Sequence, residues 1–202
     1  MALPVVVLAS TNPDKVAELA ELLDGRFEVR ARPGDLADTV EDADSLEGNA
    51  IKKASEVAAA TGEWALADDT GLFVDALDGA PGVYTARFAG PDASYDDNVD
   101  KLLGSLVDVG PDDRGASFRT VVALLGPDGT GLTAEGSVDG YIATERQGDR
   151  GFGYDPVFEP AEGGGRTFSQ MSVEEKHELS HRSRALNALD TALSQSPLPG
   201  IS

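Results

Sequence analysis

The sequence predicts an α/β fold with a central mixed sheet flanked by helices. Short β-branched runs such as Val5–Leu8 alternate with segments of helical periodicity. Turn-forming residues separate these segments, as Gly126-Pro127-Asp128-Gly129 does between two predicted strands. No linker or repeat divides the 202 residues, so we expect one domain over 1–196 and a frayed tail over 197–202.

The predicted elements interleave along the chain. Apolar and β-branched runs predict strands at 5–8, 28–31, 64–67, 72–74, 118–125 and 132–138. Apolar residues at helical spacing predict helices after Asn12 and at 49–60, 97–107 and 173–194. A Thr70-Gly71 turn is expected to separate the third strand from the fourth. This alternation favours an α/β sheet with a hairpin-rich middle section.

The composition restricts the class of protein. With 36 acidic and 16 basic residues, the formal net charge of −20 opposes nonspecific binding to nucleic acid or to an anionic membrane. There is no run of about 18 apolar residues and no signal segment, so we expect a cytoplasmic protein. The absence of cysteine excludes disulfides, thiolate metal sites and a cysteine nucleophile. A polyanionic ligand would therefore need a local positive site or a divalent metal.

The first candidate site lies where the first strand runs into a helix, at Ser10-Thr11-Asn12-Pro13-Asp14-Lys15. Thr11 or Asn12 can cap the helix, and Pro13 is tolerated in its first turn. A helix N-terminus beside a lysine can bind phosphate. An ordinary capped elbow explains the same residues, and the glycines of a Walker loop are absent. The stretch alone leaves both interpretations open.

The second candidate site is the pair Asp68 and Asp69 at the end of an apolar strand, where ligands of α/β sheets commonly bind. Adjacent carboxylates are costly unless a cation lies near them, and hard oxygen ligands suit Mg²⁺. Because strand side chains alternate between faces, only one of the pair is expected to face a given ligand. The alternative is an Asx-turn leading to Gly71.

A third candidate site is the stretch GDRGFGYDPVF. Its glycines around Phe152 and Tyr154 indicate a loop that exposes an aromatic face, with Asp155 close to the backbone. A purine ring could stack on Phe152. The alternative is an aromatic-glycine turn that packs on its own sheet.

The fourth candidate is EEKHELSHRSRAL. Lys176, His181 and Arg182 bring cationic and imidazole groups to one end of the last helix, where Ser180 could cap or break it. These groups can donate to an anion or to a base edge. A solvated helix face explains any single one of them, but grouped cations are informative in so acidic a chain.

Five stretches, in order along nearly the whole chain, carry a family resemblance. They are LASTNPDKVAEL, GNAIKKA, LADDTGLFVDALDGAPGVYTARFAG, GFGYDPVF and EEKHELSHRSRAL. Each is weak by itself, whereas all five in order are highly specific. On these motifs the chain resembles the inosine triphosphate pyrophosphatase family, also called the Ham1-like group.

The resemblance implies a homodimeric cytoplasmic enzyme that uses Mg²⁺ to hydrolyse ITP, dITP and XTP to the monophosphate and pyrophosphate. It also implies an elongated fold whose two lobes enclose a nucleotide cleft. Asp69 would be the catalytic carboxylate and a metal ligand. Gly48 stands where many relatives have an acidic residue, so Glu41 or Glu47 would supply the second acidic ligand.

The resemblance further implies three groups of substrate-binding residues. The triphosphate would be held by Ser10, Thr11, Asn12, Pro13, Asp14, Lys15 and Lys53. The base would be bordered by Phe152, Gly153, Tyr154 and Asp155. Its recognition would be completed by Lys176, His181 and Arg182, with Thr70 also touching the substrate.

The charges of a triphosphate suggest how these groups would act. We expect water to attack the α-phosphorus, Asp69 to accept its proton, and Mg²⁺ with Lys15 and Lys53 to stabilise the pyrophosphate. Donors facing a 6-oxo group would reject adenine. The alternatives are a magnesium phosphomonoesterase that forms an aspartyl phosphate and a nucleotide sensor without turnover. Maf-like pyrophosphatases differ in the early motif, which is Ser-Pro-Arg rather than Ser-Thr-Asn-Pro.

Overall fold

A computed structural model describes residues 3–201, so Met1, Ala2 and Ser202 of the predicted domain and tail lie outside the described residues. Within the described part, the chain divides into two units. Of the described residues, unit 1 comprises 3–69, 120–136 and 184–201, and unit 2 comprises Thr70–Arg119 and Ser137–Ser183. The single-domain assignment and the nucleotide cleft remain predictions.

The predicted strands and helices occur in the predicted order, and two short strands, Pro81–Gly82 and Phe158–Pro160, were not predicted. The strands are β1 (Val5–Leu8), β2 (Glu28–Ala31), β3 (Ala65–Val74), β4 (Pro81–Gly82), β5 (Gly115–Leu125), β6 (Gly131–Ile142) and β7 (Phe158–Pro160). The α-helices are α1 (Pro13–Leu22), α2 (Leu46–Thr61), α3 (Tyr95–Ser105), α4 (Val173–Leu179) and α5 (His181–Gln195).

The described strands form a seven-stranded mixed sheet in the order β2-β1-β3-β5-β6-β7, with β4 paired to β3. Strand β1 is parallel to β2 and β3, with Val6 opposite Val29 and Leu8 opposite Leu66. The β3–β4 and β6–β7 pairs are antiparallel. The predicted mixed sheet flanked by helices is therefore confirmed.

Unit 1 buries an apolar core built on β1, α1 and α5. Val6, Leu19 and Leu186 are among its buried side chains. Full burial of such a side chain contributes about 1.5–3 kcal/mol. Leu198 and Ile201 are also buried in this core, so the prediction of a frayed tail is wrong for them. The physical reason is that their apolar side chains leave water by packing against the unit.

Unit 2 has its own core, in which aromatic rings pack against one another. Phe118 meets Phe158 edge to face, with ring centroids 4.7 Å apart. Tyr154 is buried beside them, and its hydroxyl donates to the carbonyl of Thr85 at 3.0 Å. Burial raises the pKa of the Tyr154 phenol, which keeps the hydroxyl protonated as a donor.

Strand β3 is continuous where the sequence predicts a break. It runs through Thr70 and Gly71, so both the predicted turn and the alternative Asx-turn are wrong. A Cβ at Gly71 would lie 2.8 Å from the Phe73 ring and 2.9 Å from the carbonyl oxygen of Gly82. Gly71 therefore permits the close approach of β4 rather than a reversal of the chain.

The predicted helix at 173–194 is divided at Ser180. The backbone of Ser180 is extended (ψ 150°), and the Ser180 hydroxyl accepts a hydrogen bond from the amide of Ser183 at 3.2 Å. The helix break that was considered possible at Ser180 is thus present. It separates Lys176 on α4 from His181 and Arg182 on α5.

Candidate active site

The elbow before α1 is tightly capped. The Asn12 side-chain oxygen accepts from the amides of Asp14 and Lys15, at 3.0 and 3.3 Å. The Ser10 hydroxyl accepts from the Asn12 amide at 3.2 Å, and Pro13 has no N–H to offer. Capping therefore uses the Asp14 and Lys15 amides at this helix end, so the Lys15 ammonium is the stronger attraction for an anion here.

The two neighbouring aspartates at the end of unit 1's part of β3 each meet a different lysine. Lys15 Nζ lies 3.0 Å from Asp68 Oδ2, and Lys53 Nζ lies 2.8 Å from Asp69 Oδ1. Lys53 also contacts Glu41 Oε1 at 3.1 Å. We call Lys15, Glu41, Lys53, Asp68 and Asp69 the carboxylate–lysine cluster. Its contacts join α1, α2 and β3, as a shared site for a charged ligand requires.

The electrostatics of the carboxylate–lysine cluster follow from burial and from its excess of carboxylates. Burial raises the pKa of Asp69, and attraction from Lys53 and Lys15 offsets only part of that rise. Burial disfavours the charged form of Lys53, but Asp69, Asp68 and Glu41 together outweigh it and raise the Lys53 pKa. A buried carboxylate with an elevated pKa is suited to accept a proton.

One member of this site was not predicted from the sequence. Asn49 is fully buried, and its side-chain Nδ2 donates to Asp69 Oδ2 at 3.2 Å. The spacing of Asn49 in the sequence could have indicated its role. Asn49 precedes Lys53 by four residues on α2, so both side chains lie on the same helix face.

The donor set of the cluster fits a magnesium ion that also binds phosphate and water. Within residues 3–201, no group of three or more His, Cys, Asp or Glu side chains is arranged as a metal site. Mg²⁺ typically needs one or two protein carboxylates, and Asp69 and Glu41 converge on the Lys53 ammonium. Glu47 instead accepts from the Thr133 hydroxyl at 2.8 Å. Of the two acidic residues considered, Glu41 therefore fits the second ligand position.

In unit 2, the GDRGFGYDPVF stretch holds Asp155 beneath its own loop. Asp155 Oδ2 accepts from the Phe152 amide at 2.9 Å and from Lys176 Nζ at 2.7 Å. A Cβ at Gly151 would clash with Asp155 Oδ2, and Gly153 has φ +63°. The glycines thus permit both the close carboxylate and the left-handed backbone.

The Phe152 ring has cationic and aromatic neighbours. Lys176 Nζ lies 4.9 Å and the Arg182 guanidinium carbon 5.9 Å from its centroid. Tyr95 of α3, which the sequence analysis missed, has its ring centroid 5.9 Å from that of Phe152. Arg182 also lies 3.3 Å from the Thr70 hydroxyl. Predicted residues from β3, the glycine-rich loop, α4 and α5 are therefore brought together.

Five of the seven residues predicted for the base site are buried, namely Tyr154, Asp155, Lys176, His181 and Arg182. Tyr154 belongs to the unit 2 core, so it does not contribute to the exposed aromatic face expected from the sequence. His181 is 4% exposed and stacks on Phe118 at 4.7 Å between ring centroids. Phe152 is only partly buried, which leaves it the better surface for stacking.

A family model described as the Ham1 family matches residues 6–192. The chain belongs to the Ham1 family. It is 47% identical over 187 residues to a dITP/XTP pyrophosphatase of Desulfotalea psychrophila, covering 91% of this chain and 82% of that protein. It is 48% identical over 190 residues to a dITP/XTP pyrophosphatase of Desulforamulus reducens, covering 90% and 91%.

Solved Ham1 structures share the fold. A HAM1 protein from Coxiella burnetii superposes with a TM-score of 0.84 at 38% identity, covering 96% of this chain and all of that one. The Ham1 protein of Staphylococcus aureus gives 0.82 at 36% identity, covering 94% and 98%. The family inferred from five sequence motifs is thus confirmed.

Among residues 3–201 of this Ham1 chain, no helix is long and apolar enough to cross a membrane.

Proposed function

We propose that this Ham1-family chain hydrolyses ITP, dITP and XTP to the nucleoside monophosphate and pyrophosphate, and so removes deaminated purines from the nucleotide pool. Relatives named dITP/XTP pyrophosphatase, at 45–48% identity over most of the chain, support this substrate class. The observation that carries the proposal is the buried Asp69 held 2.8 Å from Lys53, next to the Asp68–Lys15 ion pair. It combines a proton acceptor with cations for a polyphosphate.

Asp69 acts as the base that accepts a proton from the attacking water. Its burial raises its pKa, which makes it a stronger base than an exposed aspartate. Lys15 and Lys53 bind phosphate oxygens and stabilise the charge of the departing pyrophosphate. Asp69 and Glu41 would hold Mg²⁺, which when bound neutralises phosphate charge and polarises the anhydride. The helix end formed by Ser10, Thr11 and Asn12 adds its positive dipole.

Phe152 and the nearby cations recognise the base. The base stacks on the Phe152 ring, while Lys176, His181 and Arg182 supply donors for the 6-oxo group. Asp155 fixes Lys176 at 2.7 Å, and Thr70 lies beside Arg182. A 6-amino group would place donor against donor, and this mismatch discriminates against adenine. Gly153 allows the loop its left-handed turn, and Tyr154 anchors the loop in the core.

Asp69 has acceptor capacity for both of its proposed roles. Lys53 approaches Oδ1 and Asn49 donates to Oδ2, and each carboxylate oxygen has a second lone-pair site for a proton or a metal ion. Product analysis separates this proposal from a phosphomonoesterase that forms an aspartyl phosphate, because that enzyme would release inorganic phosphate.

The metal, the oligomeric state and the cellular location complete the proposal. The enzyme uses Mg²⁺, is a homodimer and works in the cytoplasm, as the family resemblance implies. Its acidic composition, with a formal net charge of −20, disfavours nucleic acid and anionic membranes as partners. Light scattering of the purified chain tests the dimer, since a monomer mass would contradict it.

A product assay tests the function. The protein is incubated with ITP, dITP, XTP, dATP and dGTP in the presence of Mg²⁺, and pyrophosphate and inorganic phosphate are quantified separately. We expect equal amounts of monophosphate and pyrophosphate from the deaminated purines and little product from dATP. Release of inorganic phosphate with a nucleoside diphosphate would refute the proposed bond cleavage.

Phe152→Ala is expected to raise the KM for dITP by about 5- to 150-fold, because stacking of a base on an aromatic ring is worth about 1–3 kcal/mol. Phe152→Tyr keeps an aromatic face and serves as the matched control, with a KM close to that of the wild type. Steady-state kinetics of both variants measure the effect. An unchanged KM in Phe152→Ala would rule out stacking on this ring.

A further inference from the structure

We propose that Asn49 is a positioning residue for Asp69. We also propose that Gly48 allows residues 41–43, the segment that carries Glu41, to pack against α2. The proposal rests on the proposed function, because it assigns a role in that same site. It extends the site to residues that touch neither phosphate nor base. Its basis is a set of contacts within unit 1.

The Asn49 carboxamide is divided between two parts of unit 1. Its Oδ1 accepts from the Ala43 amide at 3.1 Å, and its Nδ2 donates to Asp69 Oδ2 at 3.2 Å. The Ala43 N–H needs an acceptor, so the amide oxygen must face Ala43 and the NH₂ must face Asp69. With Lys53 on Oδ1, the two donors fix the rotation of the Asp69 carboxylate.

Gly48 permits the same segment to approach α2. A Cβ at Gly48 would lie 2.8 Å from the Ala43 Cβ and 3.2 Å from the Ser45 hydroxyl oxygen. Real Cβ atoms do not come so close, so in this chain, with Ala43 opposite, a side chain at position 48 would push residue 43 away. The Ala43–Asn49 hydrogen bond would then lengthen, and Glu41, two residues earlier, would lose its place beside Lys53.

Asn49 therefore links the two carboxylates that contact Lys53. It orients Asp69 directly, and it holds Glu41 through Ala43. A substitution that removes either hydrogen bond of the Asn49 carboxamide keeps the charged groups in the protein. It allows the Asp69 carboxylate to rotate or Glu41 to move away. Such a loss acts on the chemical step more than on substrate affinity, because proton transfer needs the carboxylate aligned with the water.

The first test compares Asn49→Ala and Asn49→Asp with a control on another helix. Asn98 is also a buried helical asparagine, and both ends of its carboxamide bond the main chain, at Ala89 and Ala86. Asn98→Ala therefore removes similar contacts without touching Asp69. Turnover of dITP and thermal unfolding are measured for all three variants.

We expect Asn49→Ala to lower kcat by about 10- to 100-fold while KM changes by less than about threefold. Asn49→Asp keeps the acceptor for Ala43 but opposes Asp69 with an oxygen, so its kcat falls at least as far. Asn98→Ala lowers the unfolding temperature and keeps kcat near the wild-type value. Equal kcat losses for Asn49→Ala and Asn98→Ala, or no loss in Asn49→Ala, would overturn the positioning role.

The second test is a steric rescue. Gly48→Ala is expected to lower kcat by about tenfold because of the contact with Ala43. The double variant Ala43→Gly with Gly48→Ala removes the opposing methyl group and should recover most of that loss. Failure of the double variant to recover activity, or wild-type activity in Gly48→Ala, would contradict the role assigned to Gly48.

Crystal structures separate this proposal from the proposed function. In Asn49→Ala, the Asp69 carboxylate should turn and residues 41–43 should move away from α2, whatever reaction the enzyme catalyses. An unchanged Asp69 and segment would refute the positioning role even if dITP is the substrate. Wild-type protein that does not cleave dITP would refute the function, while the structural comparison would still decide the role of Asn49.

Discussion

Asp69→Asn is expected to lower kcat for dITP by about 10²–10⁴-fold, the usual contribution of a general base. Asparagine has nearly the same shape as aspartate and can still accept from Lys53, which lies 2.8 Å from Oδ1. It cannot take a proton from water at neutral pH. The variant should therefore bind substrate and fail in the chemical step, which single-turnover kinetics and calorimetry with a non-hydrolysable analogue would measure.

Asp68→Asn is the matched control for that experiment. It removes the neighbouring buried charge, whose partner is Lys15 at 3.0 Å, without removing the proposed base. We expect its main effect on KM, because the released Lys15 would change its interaction with phosphate. Retained turnover in Asp69→Asn, or the same kcat loss in both variants, would contradict the assignment of Asp69.

Lys53→Met is expected to destabilise the fold by about 3–5 kcal/mol, the range found when one partner of a buried ion pair is removed. The Lys53 and Asp69 side chains are 10% and 7% exposed, so water screens the pair poorly. Methionine matches much of the side-chain volume but leaves Asp69 and Glu41 without their shared cation. Turnover should fall as well, because a phosphate-binding charge is lost. Denaturant unfolding and kcat measure the two effects.

The double variant Lys53→Met with Asp69→Asn separates stability from catalysis. Both partners are then neutral, so much of the lost stability should return while activity stays absent. Such recovery is typical of a buried pair whose single loss leaves an uncompensated charge. If Lys53→Met is as stable as the wild type, or if the double variant is no more stable than Lys53→Met, the coupling inferred from the 2.8 Å contact is wrong.

Much of the fold could be predicted because its signals are local. Val5–Leu8 forms a strand and Asn12 caps α1, since β-branching and side-chain capping act within a few residues. The break at β3 was predicted wrongly for the opposite reason. Thr70-Gly71 has the composition of a turn, but β3 runs through both residues between its neighbours β1 and β5 in the sheet, and local sequence does not contain that sheet pairing.

The candidate site divides in the same way. Asp69 and Lys176 stand out because charged groups in an apolar or acidic context are unusual in the sequence itself, and the family resemblance adds Lys53. The motifs did not identify Asn49 or Tyr95, whose importance arises from contacts with residues 20 and 57 positions away in the chain, Asp69 and Phe152. Tyr154 was expected at an exposed aromatic face and lies in the core, because its hydroxyl finds the Thr85 carbonyl there.

Residue identity and spacing were enough to predict most strands and all helical segments in their order, the acidic character of the chain and its membership of the Ham1 family. The folded structure was needed to show that Lys15 pairs with Asp68, that Lys53 lies between Asp69 and Glu41, and that Glu47 contacts Thr133 instead. The reason is that hydrogen bonds and ion pairs require partners within about 3 Å, and packing of distant segments determines which partners meet.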